Sequence, residues 1–268
     1  MRRGVYRGGM TRLAAALSFV LGVAVAAPAG AADCVARSGP QQLPLVELYT
    51  AEGCSDCPPA DRWLSELARS SAKAAALAFH VDYWDDAGWP DRFGDRRNSQ
   101  RQDLRITLAG KRVTYTPQVM VGRDIHVKWR DPAQVRRLLD EAGARTAPVS
   151  LALRVEPDAG GGLAAGVEAT RDAGQPPALV WLALYQDALV SQVEEGENKG
   201  RTLHHDRVVR ALAGPWRMAS QALSERAVVK LPADAREADM GWVLFAESAQ
   251  SGEGLQALEL RQAGCAGG

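Results

Sequence analysis

The sequence predicts an α/β domain followed by an all-β sandwich-like domain, both preceded by a cleaved leader. In the first half, apolar runs of strand length alternate with segments of helical periodicity, a pattern typical of βαβ units. After residue 147 the helical segments give way to short apolar runs separated by turns rich in Gly and Pro, which is typical of a β-sandwich. The expected divisions are therefore residues 1–32, 33–146 and 147–268.

Residues 1–32 have the features of a secretory signal peptide. Four arginines precede an apolar stretch at 13–26, and Ala29, Gly30 and Ala31 form a small-residue cleavage site. The stretch is too short for a membrane span, so we expect a periplasmic or secreted protein. Removing the four arginines changes 32 basic and 32 acidic residues to 28 and 32, a net charge of about −4. That charge does not favour nucleic acid or an anionic membrane as a partner.

A strand, a turn and a helix open the first domain. Residues 45–49 are a short apolar run, 50–53 form a turn, and 58–71 has apolar residues at helical spacing. A second apolar run follows at 75–81, and this strand–helix–strand spacing predicts two parallel strands. Because ligands gather at the carboxyl ends of strands in open α/β sheets, residues 82–89 should lie beside the end of the first strand.

Cys54 and Cys57 lie between that strand and that helix. Pro58 fits the first helical turn, where its missing N–H has no partner to lose, so Cys57 is placed at the helix start. Unpaired N–H groups and the helix dipole stabilise a thiolate there, whereas the carboxylate of Asp56 opposes it. A C-x-x-C pair in this context predicts thiol–disulfide exchange with a protein or a small thiol, with no cofactor.

The remaining elements follow from the same periodicities. In the first domain these are a solvated helix (95–109), a strand (119–121) entered by Thr116-Pro117, a hairpin partner (125–129) and a helix (132–141) capped by Asp131. In the second domain the strand-length runs are 149–155, 163–169, 178–186, 201–212, 226–231, 240–248 and 255–260.

Four cysteines allow three pairings, and export favours disulfides. Proximity favours a bond between Cys54 and Cys57. That leaves Cys34, just after the cleavage site, and Cys265, near the C-terminus. Chain ends often lie close together, so we expect a Cys34–Cys265 disulfide as well.

Four segments carry a resemblance to a known family: VELYTAEGCSDCPPAD, FHVDYWDDAGWPDRF, VTYTPQVMVGR and EEGENKGRTLHHDRVVR. With them the chain resembles the exported, thioredoxin-like family known as domain of unknown function 1223, over nearly all of residues 43–262. The resemblance implies an α/β thioredoxin-like domain followed by the all-β domain, and it supports export.

Similarity to thioredoxins also implies site roles. Cys54 would be the attacking thiol, Cys57 the resolving thiol, and Pro117 a cis proline facing them beside Thr116. A substrate groove is expected to include two residues of the rim that follows the second strand, Asp82 and Trp84. The function expected on this basis is an exported thiol–disulfide oxidoreductase.

Other interpretations of these residues stay open. The cysteine pair could be a structural disulfide in a binding module for a protein ligand, or it could hold a soft metal such as Cu(I). The segment 195–201 could be a tight hairpin or a loop that contacts the first domain or a partner. Glu52 is expected to be a solvated turn residue. His204 and His205 should point to opposite faces of a strand, which argues against a shared metal.

Overall fold

The computed structural model describes residues 1–4, 34–70, 73–262 and 265. Beyond its first four residues, the predicted signal peptide lies outside the described residues. No helix in the described part of the chain is long and apolar enough to span a membrane.

Thirteen strands and three α-helices make up the described residues. They are β1 (Cys34–Arg37), β2 (Leu45–Thr50), α1 (Pro58–Ser70), β3 (Ala75–His80), α2 (Arg96–Leu108), β4 (Gln118–Val121), α3 (Pro132–Gly143), β5 (Val149–Pro157), β6 (Leu163–Arg171), β7 (Ala178–Gln186), β8 (Leu189–Gln192), β9 (Thr202–His205), β10 (Val208–Met218), β11 (Ala222–Val229), β12 (Met240–Ser248) and β13 (Gly254–Arg261).

A seven-stranded mixed sheet is the centre of the fold. Its order is β13-β12-β7-β10-β3-β2-β4, so it contains strands from both sides of residue 147. The β2–β3 pair is parallel, as the strand–helix–strand spacing predicts, and β10 joins the other edge of β3 in parallel through Val208 and Ala78. The pairs of β4 with β2, β10 with β7, β12 with β7 and β13 with β12 are antiparallel.

A four-stranded antiparallel sheet of order β1-β5-β6-β11 packs on one part of the large sheet. Alternate residues of β5 and β6 share a buried apolar cluster with β7 and β12, in which Trp242 is fully buried. Helices α1 and α3 cover β2, β3 and β4 through a separate apolar cluster that includes Leu64 and Leu138. The short β8–β9 ribbon lies beside α1.

The predicted fold class, an α/β thioredoxin-like domain followed by an all-β sandwich-like domain, is wrong. Strands make up 41 % of the described residues, which contain three α-helices, so this part of the protein is mostly β with large mixed and antiparallel sheets. The physical reason lies at β3, because the backbone hydrogen-bonding groups on both of its edges need partner strands. One edge pairs with β2, and the other pairs with β10, which comes more than a hundred residues later.

Two local predictions also need correction. The run 201–212 is divided into β9 and β10 because Arg207 has a positive φ of 63°, a conformation that a continuous strand does not contain. The hairpin partner expected at 125–129 forms no strand. Instead Val127 donates a backbone hydrogen bond to Val119, and Asp124 makes an isolated bridge to Val121.

A buried charge cluster fastens α2 to the large sheet. Arg101, expected on a solvated helix face, is 1 % exposed. Its guanidinium donates to Glu47 at 2.8 Å and to both oxygens of Glu247 at 3.0 and 3.2 Å. Arg105 lies 3.1 Å from Glu47, so two buried cations face two buried carboxylates. Burial raises the pKa of Glu47, but Arg101 and Arg105 outweigh it and hold that pKa below its usual value.

Candidate functional site

The cysteine pair lies in the turn that connects β2 to α1, where Cys54 and Cys57 are joined by a disulfide. The carbonyl of Cys57 accepts the backbone N–H of Asp61 at 3.1 Å, the first helical bond, so Cys57 is the residue that precedes the helix. Cys54 is 2 % exposed and Cys57 is fully buried, whereas Ser55 and Asp56 between them are exposed. The disulfide therefore lies beneath the surface at the helix start.

The segment 195–201, between β8 and β9, covers this turn. Asn198 is buried and its amide donates to the carbonyls of Glu52 and Cys54 at 2.8 and 2.9 Å. The carboxylate of Glu197 accepts the N–H of Ser55 at 3.0 Å, and the Ser55 hydroxyl together with this N–H holds the pKa of Glu197 below its usual value. The segment closes the antiparallel β8–β9 hairpin and also contacts the cysteine turn, so each of the two interpretations describes part of its role.

The predicted groove residues are brought together in part. Trp84 donates through its indole N–H to the hydroxyl of Thr116 at 2.8 Å, and the Thr116–Pro117 peptide bond is cis. Trp84 also packs on the apolar cluster that contains both cysteines. Asp82 instead accepts a hydrogen bond from Ser99 of α2, which turns its carboxylate toward that helix.

Five titratable side chains, each 7 % exposed or less, lie inward of the turn, and we call them the acid–histidine cluster. Its members are Glu52, Asp61, His80, Asp91 and His205. Two carboxylates flank the cysteine pair in sequence: Glu52 precedes Cys54 by two residues, and Asp61, in the first turn of α1, follows Cys57 by four.

Asp91 connects one side of this cluster. Its Oδ2 lies 2.7 Å from Nδ1 of His80 and also accepts the backbone N–H of Glu52 at 2.8 Å. The Oε2 of Glu52 accepts the indole N–H of Trp89 at 2.7 Å. Glu52, expected to be a solvated turn residue, is therefore buried and hydrogen-bonded.

His205 lies between the carboxylates of Glu52 and Asp61. Its Nε2 is 3.4 Å from Glu52 Oε1, and its Nδ1 is 3.9 Å from Asp61 Oδ2. The His80 and His205 rings meet edge-on at 5.0 Å. Within the described residues, neither ring nitrogen of His205 has a hydrogen-bond partner, and neither do Glu52 Oε1 and Asp61 Oδ1.

Sequence reasoning did not identify this cluster. The alternation at His204 and His205 predicts that one ring faces inward, and His205 is indeed buried while His204 is exposed. No spacing relates that ring to Asp61 or Asp91, which lie on different elements. In the described part of the chain, no group of three or more His, Cys, Asp or Glu side chains is arranged to hold a metal ion.

The His80–Asp91 pair should make stability depend on pH. Burial lowers the pKa of His80, but the Asp91 carboxylate outweighs it and the net pKa is raised. Burial raises the pKa of Asp91, but protonated His80 outweighs it and the net pKa is lowered. The stabilisation of the folded state by the His80 imidazolium is complete below the unfolded-state pKa of histidine, about 6.5, and is lost as pH rises through the folded-state pKa of His80. The stabilisation of the folded state by the Asp91 carboxylate is complete above the unfolded-state pKa of aspartate, about 3.9, and is lost as pH falls through the folded-state pKa of Asp91.

We therefore expect the stability gap between the wild type and His80→Gln to be largest between about pH 4 and pH 6.5 and to narrow above that range. Urea unfolding at pH steps from 4 to 9 measures it. The exposed His126→Gln should show no such window. A gap that stays constant across pH would contradict the ion pair.

Comparison with known proteins places the chain in a family. A family model described as "Protein of unknown function (DUF1223)" matches residues 45–247. No curated protein matches the chain. The crystal structure of protein AGR_C_4864 from Agrobacterium tumefaciens is similar with a TM-score of 0.60 and 24 % identity, covering 84 % of this chain and 96 % of that one. HBP35 of Porphyromonas gingivalis is similar with a TM-score of 0.60 and 15 % identity, covering 82 % and 75 %.

Both identities are below 25 %, so the two structures bear on the fold and not on the activity. The family model, in contrast, spans well over half of the sequence and includes the cysteine turn, the cis proline and the covering loop. The chain therefore belongs to the DUF1223 family of proteins of unknown function.

Proposed function

We propose that this protein is an exported thiol–disulfide oxidoreductase that uses Cys54 and Cys57. The observation that carries the proposal is the disulfide between two cysteines separated by two residues, at the start of a helix whose dipole favours a thiolate. A second disulfide between Cys34 and Cys265 supports an oxidising compartment.

The exchange runs in two steps. The Cys54 thiolate attacks one sulfur of a partner disulfide, forming a mixed disulfide and releasing one partner thiolate. The Cys57 thiolate then attacks the Cys54 sulfur, which closes the Cys54–Cys57 bond and releases the second partner thiolate. The partner gains two electrons and the pair loses two, and the reverse sequence oxidises a partner dithiol.

Access to the sulfur is the structural requirement for this chemistry. Because both cysteines are buried and residues 195–201 cover their turn, a partner must displace that loop before attack. The hydrogen bonds that a partner would replace are those from Asn198 to Cys54 and from Ser55 to Glu197.

A trapping experiment tests the proposal. Cys57→Ser leaves Cys54 able to form a mixed disulfide that no second thiol resolves, so we expect a stable adduct with glutathione and with model protein disulfides. Non-reducing electrophoresis and intact-mass measurement detect it. Cys54→Ser is the matched control and should accumulate far less adduct, since Cys57 would have to attack from its fully buried position.

The wild-type pair should also reach equilibrium with a glutathione buffer, measured by alkylation of free thiols. If no adduct forms in Cys57→Ser and the wild-type pair shows no equilibrium, the oxidoreductase proposal fails.

The burial of both cysteines favours one alternative, a structural disulfide in a module that binds a protein ligand. That alternative predicts a pair that stays oxidised at glutathione ratios that reduce catalytic disulfides. The same equilibrium measurement therefore separates the two functions.

A further inference from the structure

The acid–histidine cluster contains more carboxylates than imidazoles. Three carboxylates face two imidazoles, so one negative charge remains even when both rings are protonated. His80 and Asp91 form a close pair at 2.7 Å. That leaves Glu52 and Asp61 on either side of His205, and an unbalanced charge in a buried site favours binding of a proton.

Asp61 is the carboxylate that fits this proton best. Burial is the largest influence and raises the pKa of Asp61, with His205 and His80 opposing it only in part. Glu52 differs, since burial raises its pKa but the nearby imidazole of His205, whose Nε2 lies 3.4 Å from Glu52 Oε1, and neighbouring side chains hold the net pKa below its usual value. Within the described residues, Asp61 Oδ1 has no hydrogen-bond partner.

The surroundings of Asp61 come from four elements. Its titratable neighbours are His205 of β9, His80 of β3 and Asp91 of the loop after β3, and the hydroxyl of Thr50 of β2 also faces it. The guanidinium groups of Arg92 and Arg210 stack on the ring of Phe93, and the His205 imidazole meets that ring edge-on at 5.7 Å.

Asp61 is also joined directly to the reactive turn. Its backbone N–H donates to the carbonyl of Cys57 at 3.1 Å in the first turn of α1. Residues four apart lie close together along a helix, so a thiolate at Cys57 would add negative charge to the region of the Asp61 carboxylate. Like charges increase each other's affinity for protons.

We propose that Asp61 binds a proton when the Cys54–Cys57 disulfide is reduced and releases it when the disulfide forms again. The inference rests on the proposed thiol–disulfide exchange. Asp61 is a positioning residue in this scheme, since it holds a proton in the first turn of α1 while the bond changes occur at the cysteines.

The protons and electrons balance. A partner dithiol supplies two electrons and two protons as the Cys54–Cys57 bond breaks and the partner's S–S bond forms. One proton stays on a cysteine sulfur and the second is bound by Asp61, so the other sulfur remains a thiolate ready to attack. Oxidation returns both protons to the partner's thiols.

The direct test follows the Asp61 carboxyl carbon by NMR in wild-type protein labelled with ¹³C-aspartate, between pH 4 and 8. Asp61→Asn assigns the resonance. After reduction with a phosphine, the titration midpoint should move to higher pH, with a roughly tenfold gain in proton affinity. Cys54→Ser/Cys57→Ser is the control, because there the reductant can open only Cys34–Cys265 and the midpoint should not move. Equal midpoints in oxidised and reduced wild type overturn the inference.

A second readout uses exchange itself. Asp61→Asn should change the pH dependence of the pair's equilibrium constant with glutathione, whereas Glu66→Gln, which removes an exposed carboxylate from the same helix, should not. Superimposed pH profiles for Asp61→Asn and the wild type count against the inference. Absence of exchange at every pH defeats the proposed function instead, and the NMR titration still decides whether the proton is linked to the disulfide.

Discussion

Replacing Arg101 by methionine should lower the free energy of unfolding by about 3–5 kcal/mol, because it leaves buried carboxylates without their cation. Glu247 would lose both of its bonds to the guanidinium and keep only the indole N–H of Trp181. Glu47 would retain Arg105 and Tyr49. The guanidinium also stacks within 4.8 Å of the Trp181 ring, and methionine replaces that contact only as an apolar chain.

Urea unfolding at pH 7 measures this loss. Arg96→Met, an exposed substitution on the same helix, is the matched control and should change stability by less than about 0.5 kcal/mol. A second variant, Arg101→Met/Glu247→Gln, removes the unpaired negative charge of Glu247 and should recover part of the lost free energy of unfolding. If Arg101→Met matched Arg96→Met, the buried cluster would not stabilise the attachment of α2.

Opening the Cys34–Cys265 disulfide should cost about 2–5 kcal/mol. The bond closes a loop with a sequence separation of 231. The chain-entropy relation gives about 5 kcal/mol for a loop of that length, which is an upper value. The loss arises in the unfolded chain, which gains conformational freedom once its ends are no longer tied.

Single and double substitutions separate this effect from local packing. Cys34→Ser, Cys265→Ser and the double variant all open the same loop, so denaturation should give nearly equal losses for the three. Losses that add would instead mean that each side chain contributes through its own contacts. Thermal unfolding of the double variant with and without reductant should show only the change in unfolding temperature that comes from reduction of Cys54–Cys57.

The parts of the fold that sequence predicts well are local. The β2–α1–β3 unit is recognisable because its apolar runs are close in sequence, and Asp131 marks the start of α3 by accepting the N–H groups of Ala133 and Gln134. No local sequence motif indicates that β3 pairs with β10. A buried strand has the same apolar character whichever strand pairs with it, so pattern alone assigned the two halves to separate sheets.

The site shows the same division. The cysteines and the cis Thr116–Pro117 bond have sequence motifs that indicate them. Arg101 and Glu52 do not, because a charged residue in a polar segment predicts a solvated face unless its partner is known. Their partners, Glu247 and His205, lie 146 and 153 positions away (247 − 101 and 205 − 52) and meet them only through tertiary contacts between distant segments.

The strand order also constrains how the protein comes to be folded. A chain synthesised from its N-terminus presents β2 and β3 long before β10 exists to occupy the second edge of β3. We expect slow folding that depends on late contacts between distant segments, with an unpaired apolar strand edge exposed meanwhile. We expect a nascent chain with such an exposed edge to bind chaperones that hold unfolded chains. Fragments that stop before residue 208 should aggregate rather than fold.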